Sequence, residues 1–242
     1  RQRRHAPEGG PEARDGEGAV AGPADVRDPG LFVTFEGGEG SGKTTQISNL
    51  KKKYPEAVFF REPGGTEFAE EMRRLMLVSP DSAELSPFQQ MNLAFAGRAD
   101  NIRKIIAPAM KAGKLVFADR FDCCSFAYQI FGMEGRNLFS HFDSSRLSMG
   151  SSTKHPYLPD LYIFLDISPE EGMRRVALRA KAKGDVNHFD ERGPEFHARV
   201  RNGYKRFAEL HPSRVKVVDG HPSKEEVWKS IETVLDGFLA TR

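Results

Sequence analysis

Cysteine is nearly absent. Among 242 residues only Cys123 and Cys124 carry thiols. Adjacent cysteines seldom pair with each other, so no disulfide framework holds the chain, and a reducing compartment, the cytoplasm, is expected. Charge of one sign is not in excess either: 36 Lys plus Arg stand against 34 Asp plus Glu, a formal net charge of +2. Proteins that blanket nucleic acid or an acidic membrane carry a larger surplus, so neither partner is expected, and anions must be bound locally. No window approaches the roughly 18 consecutive apolar residues of a membrane span. Internal repeats are also missing. What remains, 38% hydrophobic and 29% charged, is ordinary globular composition at a length suited to one α/β domain.

Residues 1–29 are rich in Gly, Pro, Ala, Arg and Glu and offer almost nothing to bury, which predicts a disordered tail. They contain no apolar stretch of the secretory kind, and their six acidic residues argue against a transit peptide. The domain is expected to cover residues 30–242.

Its first element, Leu31-Phe32-Val33-Thr34-Phe35, is a short apolar run of the kind that forms a buried parallel strand. It leads into Glu36-Gly37-Gly38-Glu39-Gly40-Ser41-Gly42-Lys43-Thr44-Thr45, and then into a helical pattern through Ile47, Leu50 and Tyr54. Strand, Gly-rich loop and helix, with Gly37 and Gly42-Lys43-Thr44 in G-x-x-x-x-G-K-[ST] register, make a P-loop. Glycines let successive N–H groups turn inward around phosphate oxygens, and the new helix points its positive end at them. Lys43 adds a full charge at the β/γ-phosphates, and the Thr44 hydroxyl is placed for Mg²⁺.

The remaining pattern alternates. Strands are expected at 57–60, 115–119, 161–166 and 215–219. Helices are expected at 68–78, 87–110 (long, with a bend), 170–183, 194–210 and 224–239. Residues 132–159 read as an irregular connection holding one short helix. The fold class is therefore α/β: a P-loop NTPase fold with a five-stranded parallel sheet, helices on both faces and an Arg-rich lid.

A P-loop serves many chemistries. No Asn-Lys-x-Asp follows any strand, so guanine reading of the GTPase type has no candidate. Asp119 ends the third strand as a Walker-B acid would, supporting Mg²⁺. Arg120 beside it suits a phosphate ligand and equally a surface ion pair. Arg61-Glu62-Pro63-Gly64-Gly65-Thr66 closes the second strand at the sheet edge where open α/β folds bind ligands, and Arg73 and Arg98 follow on helices. Arg174, Arg175, Arg179, Lys181 and Lys183 crowd one helix, with Arg175 and Arg179 on a single face. Such a run fits a solvated face or a lid, at about 174–193, that neutralises a transferring phosphoryl group and excludes water.

At this point the chain resembles the thymidylate kinases, over about residues 30–240. The resemblance rests on FEGGEGSGKTTQ at 35–46, REPGGTEFAEEMRRLML at 61–77, Arg98, DRFDCCSFAYQ at 119–129 and PDLYIFLD at 159–166 with the Arg-rich lid after it. It implies phosphorylation of dTMP to dTDP with ATP as donor and Mg²⁺ as cofactor, often by a homodimer. A kinase for a modified deoxyuridine monophosphate or another deoxynucleotide is the runner-up, and a nucleotide-binding module without transfer is the reading from another class. The resemblance assigns Gly37, Gly38, Glu39, Gly40, Ser41, Gly42, Lys43, Thr44 and Thr45 to ATP. Thr44 and Asp119 go to the metal, and Lys43, Asp119, Arg120, Arg175 and Arg179 to catalysis. The acceptor side takes Glu39, Arg61, Pro63, Gly64, Arg73, Ala94, Phe95, Arg98, Arg120, Cys124, Ser125, Tyr128 and Gln129. Gly40 stands where one subtype has an arginine, which implies that the lid supplies this charge. Ala94 replaces a usual aromatic on the base, with Phe95 or Phe121 as candidates to fill the gap. Cys124 replaces a small hydroxyl residue, and Asn187-His188 replaces an Asp-Arg pair.

Overall fold

The computed structural model describes residues 29–150, 157–183 and 188–241. The tail expected at 1–29 lies outside them except for Pro29, as do residues 184–187 of the lid. Five strands, β1 (Leu31–Glu36), β2 (Val58–Arg61), β3 (Leu115–Asp119), β4 (Leu161–Asp166) and β5 (Val215–Asp219), form one parallel sheet in the order β2-β3-β1-β4-β5. β1 is central, and the chain leaves it first toward β2 and β3 and later toward β4 and β5. The switch of direction lies at the carboxyl end of β1, where ligands enter open α/β sheets.

Side-chain alternation builds two cores. Val33, Phe35, Phe117, Leu161, Ile163 and Leu165 face one way and meet Leu50 of α1 (Lys43–Lys53) and Val227, Ile231 and Leu235 of α9 (Lys224–Leu239). Phe32, Val116, Ala118, Tyr162 and Phe164 face the other way, under the larger set of helices. Fully burying one large apolar side chain is worth about 1.5–3 kcal/mol, so a sheet covered on both faces favours continuous apolar strands over alternating ones.

On the larger side, α2 (Glu67–Leu77) packs beside α3 (Pro87–Asn101). Thr66 caps α2 through Ala69 N, and Ser86 with Gln89 forms a capping box that starts α3. The helix expected over 87–110 continues from α3 through a π turn at Ile102–Ile106 into α4 (Ala107–Lys111), which is the bend. After β3 a helix appears that the sequence reading does not contain: α5 (Asp122–Ser125) running into a π-helical segment at Phe126–Gly132. The short helix expected within 132–159 is α6 (Phe139–Ser148). Helices α7 (Pro169–Lys183) and α8 (Pro194–Leu210) follow β4. No described helix is long and apolar enough to cross a membrane.

Candidate active site

A cavity of about 1240 Å³ opens at the carboxyl edge of the sheet. Its walls are the P-loop, the turn after β2, α2 and α3, Asp119 and Arg120, the π-helical segment, α7, and the loop entering α9. Nearly every residue expected in the site lines it. Gly37 and Gly38 lie just behind the lining, and Phe95 is a true exception.

Three P-loop glycines, Gly37, Gly40 and Gly42, have positive φ. At Gly40 no side chain could fit, because a Cβ there would run into the backbone of Gly172 on α7. The contact is mutual: a Cβ on Gly172 would come within 2.6 Å of Glu39 O. The glycine at position 40 thus matches the close backbone packing, which leaves no room for an arginine there. Lys43 Nζ donates to Gly37 O and Gly38 O at 3.0 Å each and to Ser41 Oγ at 3.1 Å. Burial pushes its pKa down to about 8.

Arg120 joins the two halves of the cavity. It leaves β3 at φ 71° and donates to Gly37 O (2.8 Å), Tyr204 Oη (2.9 Å) and Glu39 Oε1 (2.9 Å), with its guanidinium 5.2 Å from the Tyr128 ring centre. Arg120 is ion-paired, with Glu39, but inside the cavity and not on the outer surface: its side chain is only 14% exposed. Tyr128 Oη donates to the same Glu39 oxygen at 2.8 Å. Burial works to raise the Glu39 pKa, but Arg120, Lys43 and the Tyr128 hydrogen bond outweigh it and hold the carboxyl down at about 2. Asp119 is paired to β1 opposite Phe35, and its Oδ1 is buried with no hydrogen-bond partner. A buried carboxylate oxygen left open beside the P-loop, with Thr44 exposed on the same cavity wall, suits Mg²⁺, which Asp119 and Thr44 would hold.

The wall of the cavity expected to take the acceptor is organised around Arg98, which is 1% exposed. Its Nε donates to Glu62 Oε2 at 2.7 Å, Nη2 to Phe121 O at 2.8 Å, and both terminal nitrogens reach Ser125 Oγ at 3.3 Å. The rings of Phe95 and Phe121 flank the guanidinium at 4.8 and 5.1 Å. This corrects the placement expected for Phe95: the ring serves Arg98 and the core against Phe142, not the cavity. Phe121, also core, is no substitute either. Ala94 does line the cavity, with Leu93, Met72, Met76 and Leu77. Among the described residues the aromatic rings in the lining, histidine aside, are Tyr128 and Phe189. Cys124 Sγ donates to Phe121 O at 2.8 Å, and burial pushes the thiol up to about 12, so it is no nucleophile at neutral pH. Gln129 Nε2 donates to Gln90 Oε1 at 3.3 Å.

The turn after β2 depends on Gly64 (φ 121°), where a Cβ would meet Arg61 Nη1 and Glu70 Oε1 at 2.5 Å each. Arg61 Nη1 and Arg73 Nη1 both donate to Pro63 O, and Arg61 Nη2 pairs with Glu70 at 3.0 Å. On α7, Arg175 is fixed at the donor end: Nε donates to Glu171 Oε1 (2.7 Å), Nη1 to Gly220 O (3.0 Å) and Nη2 to His221 O (3.3 Å). Arg179 lies one turn further on, 3.6 Å from Asp190 Oδ1, and its charge reaches Glu39. Arg174 turns back onto Glu171. His188 of the altered lid pair places Nδ1 3.5 Å from Ser82 Oγ, while Asn187 lies outside the described residues.

The sequence reading assigned no role to Glu36, Glu62, Asn101, Phe189 or Tyr204. Glu36 is fully buried, accepts from Phe121 N at 2.7 Å, and burial pushes its pKa up to about 8, with Arg120 pulling the other way. Asn101 Nδ2 donates to Glu62 Oε1 and Gly64 O. Glu36 and Glu62 stand inside quoted motifs, and an acid at the end of an apolar strand was the available signal. Asn101, Phe189 and Tyr204 lie on helices or loops where nothing local marks them.

Comparison with known proteins agrees with this geometry. The family model described as thymidylate kinase matches residues 35–231. A thymidylate kinase of Symbiobacterium thermophilum is 37% identical over 216 residues, covering 88% of this chain and 95% of its own length. One from Acholeplasma laidlawii is 37% identical over 214 residues, covering 86% and 98%. The crystal structure of thymidylate kinase from Ehrlichia chaffeensis superposes with a TM-score of 0.64 at 27% identity, covering 85% of this chain and 98% of that one. A family model over most of the domain and relatives at 37% identity across nearly their whole length show that the chain belongs to the thymidylate kinase family.

Proposed function

We propose that the protein transfers the γ-phosphoryl group of ATP to the phosphate of dTMP, giving dTDP and ADP. The observation that carries this reading is Arg120, which touches the donor loop at Gly37 O and the acceptor wall through Glu39 and Tyr128. Phosphoryl transfer asks the protein for alignment and charge neutralisation more than for a base. The P-loop amides and Lys43 take the donor phosphates. Arg120 spans the point where the two phosphates meet. Arg98, fixed by Glu62 and two rings, presents its edge beside Ser125 for the acceptor phosphate, with Arg73 on the neighbouring helix. Glu39, ionised and held by Tyr128, faces the acceptor sugar. Arg179 brings the charge that Gly40 cannot.

The open Asp119 Oδ1 and Thr44, on one cavity wall, would hold Mg²⁺, which would supply charge neutralisation at the donor phosphates. Family resemblance supports a homodimer, checked by sedimentation, and the two free thiols support a reducing compartment such as the cytoplasm. The test of function is a coupled assay of ADP formation with dTMP, dUMP, 5-substituted dUMPs, dCMP, dGMP and UMP. Highest kcat/KM with dTMP is expected. ADP release independent of any added monophosphate would sink the proposal.

A further inference from the structure

Behind the cavity lies a buried charge cluster that phosphoryl transfer leaves unused. Asp122 opens α5 two residues after Arg120 and is fully buried. Its Oδ2 accepts from Arg146 Nε of α6 at 2.8 Å, and its Oδ1 accepts from the Tyr162 hydroxyl of β4 at 2.9 Å. Arg146 Nη2 lies 3.3 Å from the same hydroxyl, and Nη1 lies 3.4 Å from His211 Nε2 just past α8. The rings of Phe142 and Phe207 flank the guanidinium at 5.6 and 5.5 Å. Three elements therefore meet at one carboxylate, and the residue just past α8 meets the arginine that holds it.

A buried ion pair is a poor source of stability, because desolvating two charges offsets most of their attraction, and apolar groups of the same volume serve about as well. What such a pair supplies is fixed geometry. The segment beside it needs that. Arg120 holds φ 71°, a conformation a non-glycine residue keeps only when its surroundings impose it. Three holds come from the site's own framework: Arg120 N to Phe35 O (2.9 Å), Phe121 N to Glu36 Oε1 (2.7 Å) and Arg98 Nη2 to Phe121 O (2.8 Å). The fourth is Asp122, held by an arginine on α6, an element with no residue in the cavity.

We propose that Arg146 is a positioning residue for Arg120: gripping Asp122, it fixes the turn from which Arg120 reaches across the transfer point, so that α6 sets kcat from outside the cavity. This rests on the phosphoryl-transfer reading of Arg120 given above.

The experiment compares Arg146→Met, Arg146→Lys, Asp122→Asn and the double variant Asp122→Asn/Arg146→Met, each measured for kcat, both KM values and thermal midpoint. Arg146→Met keeps the stem and its apolar cover while removing the charge. Its kcat should fall about ten-fold or more with either KM changed less than about three-fold, since a small displacement of an aligning group is felt mainly in the transition state. Arg146→Lys should fall between it and the wild type. Arg146→Met also leaves Asp122 as a lone buried charge, so its midpoint should drop. The double variant relieves that charge, and its midpoint should recover while kcat stays low. This split separates positioning from mere stabilisation. Recovery of kcat together with the midpoint would overturn the proposal, as would unchanged kcat in both single variants. If Arg146→Met does not fold, the near-isosteric Asp122→Asn carries the same test. Wild-type protein without transfer activity would overturn the functional reading and this one together; with that activity in hand, the variants speak for Arg146 alone.

Discussion

Lys43 donates to three oxygens of its own loop, so a triphosphate entering the cavity replaces one set of acceptors by another around an ammonium already in place. Lys43→Ala should reduce kcat at least about a thousand-fold, the scale of losing one fully aimed charge contact, with an unchanged circular dichroism spectrum. Activity within a few-fold of wild type would remove the P-loop from the mechanism. Ala94 carries a second expectation. Phe95 and Phe121 are committed to Arg98, so neither can turn to the base. Stacking an aromatic ring on a base is worth about 1–3 kcal/mol, so Ala94→Phe should lower KM for dTMP by roughly ten-fold. A variant that merely loses kcat/KM for dTMP would show that another group, Phe189 foremost among the lining rings, already covers the base. At this scale the loop residues, Asp119 and Arg120 were legible because their chemistry is contiguous in sequence. The pairings that aim them were not: Arg98 with Glu62, Arg120 with Tyr204 and Arg146 with Asp122 are 36, 84 and 24 residues apart.

Among the elements, α7 divides its arginines between two tasks that the sequence pattern alone treats as one. Arg175 grips the carbonyls of Gly220 and His221 at the donor end, so Arg175→Ala should raise KM for ATP more than it lowers kcat. The charge of Arg179 acts on Glu39, so Arg179→Ala should lower kcat with KM for dTMP changed little. Equal effects of both on kcat alone would undo this division. The same helix touches the P-loop backbone through Gly172, and Gly172→Ala should push the two apart and reduce kcat, read in a variant whose thermal midpoint shows it folded. Strand positions were readable almost to the residue because the inner strands β1, β3 and β4 are buried, nearly continuous apolar runs, and the edge strands β2 and β5 are short β-branched or aromatic runs bounded by turns. The helix at 122–132 was not. Phe121-Asp122-Cys123-Cys124-Ser125-Phe126-Ala127-Tyr128-Gln129-Ile130 is rich in weak helix formers, and its π geometry breaks the 3.6-residue period. It is helical because α8 packs on it at a distance only glycine allows: a Cβ on Gly203 would come 2.7 Å from Ala127 Cα.

For the molecule as a whole, a buried acid couples stability to pH. The Glu36 carboxyl ionises near 8 in the folded chain against a reference of 4.5. Below about 4.5 both folded and unfolded chains hold the proton, so the acid adds no pH dependence there. As pH rises toward 8 the unfolded chain releases it and the folded chain does not, so stability falls across that window and levels off above it. Glu36→Gln keeps an acceptor for Phe121 N and cannot ionise. The midpoint of wild type relative to Glu36→Gln should therefore decline steadily between pH 5 and 8, and a difference independent of pH would show the acid to be ordinary. Alternating strands and helices made the layered architecture legible, but strand order and the two unequal cores came only from three-dimensional pairing.

The position of β1 in that order has a further consequence. On the function proposed above, residues 61–129 furnish the acceptor wall from β2, β3 and their helices, and residues 171–227 furnish the donor end from α7 and the loop entering α9. Only the P-loop at the tip of β1 belongs to both. Phe189 and Arg179 apart, the two sides of the cavity are therefore written in separate stretches of chain, joined through one shared strand. Exchange of one stretch for that of a relative should retune which monophosphate is taken while the triphosphate preference stays as it was.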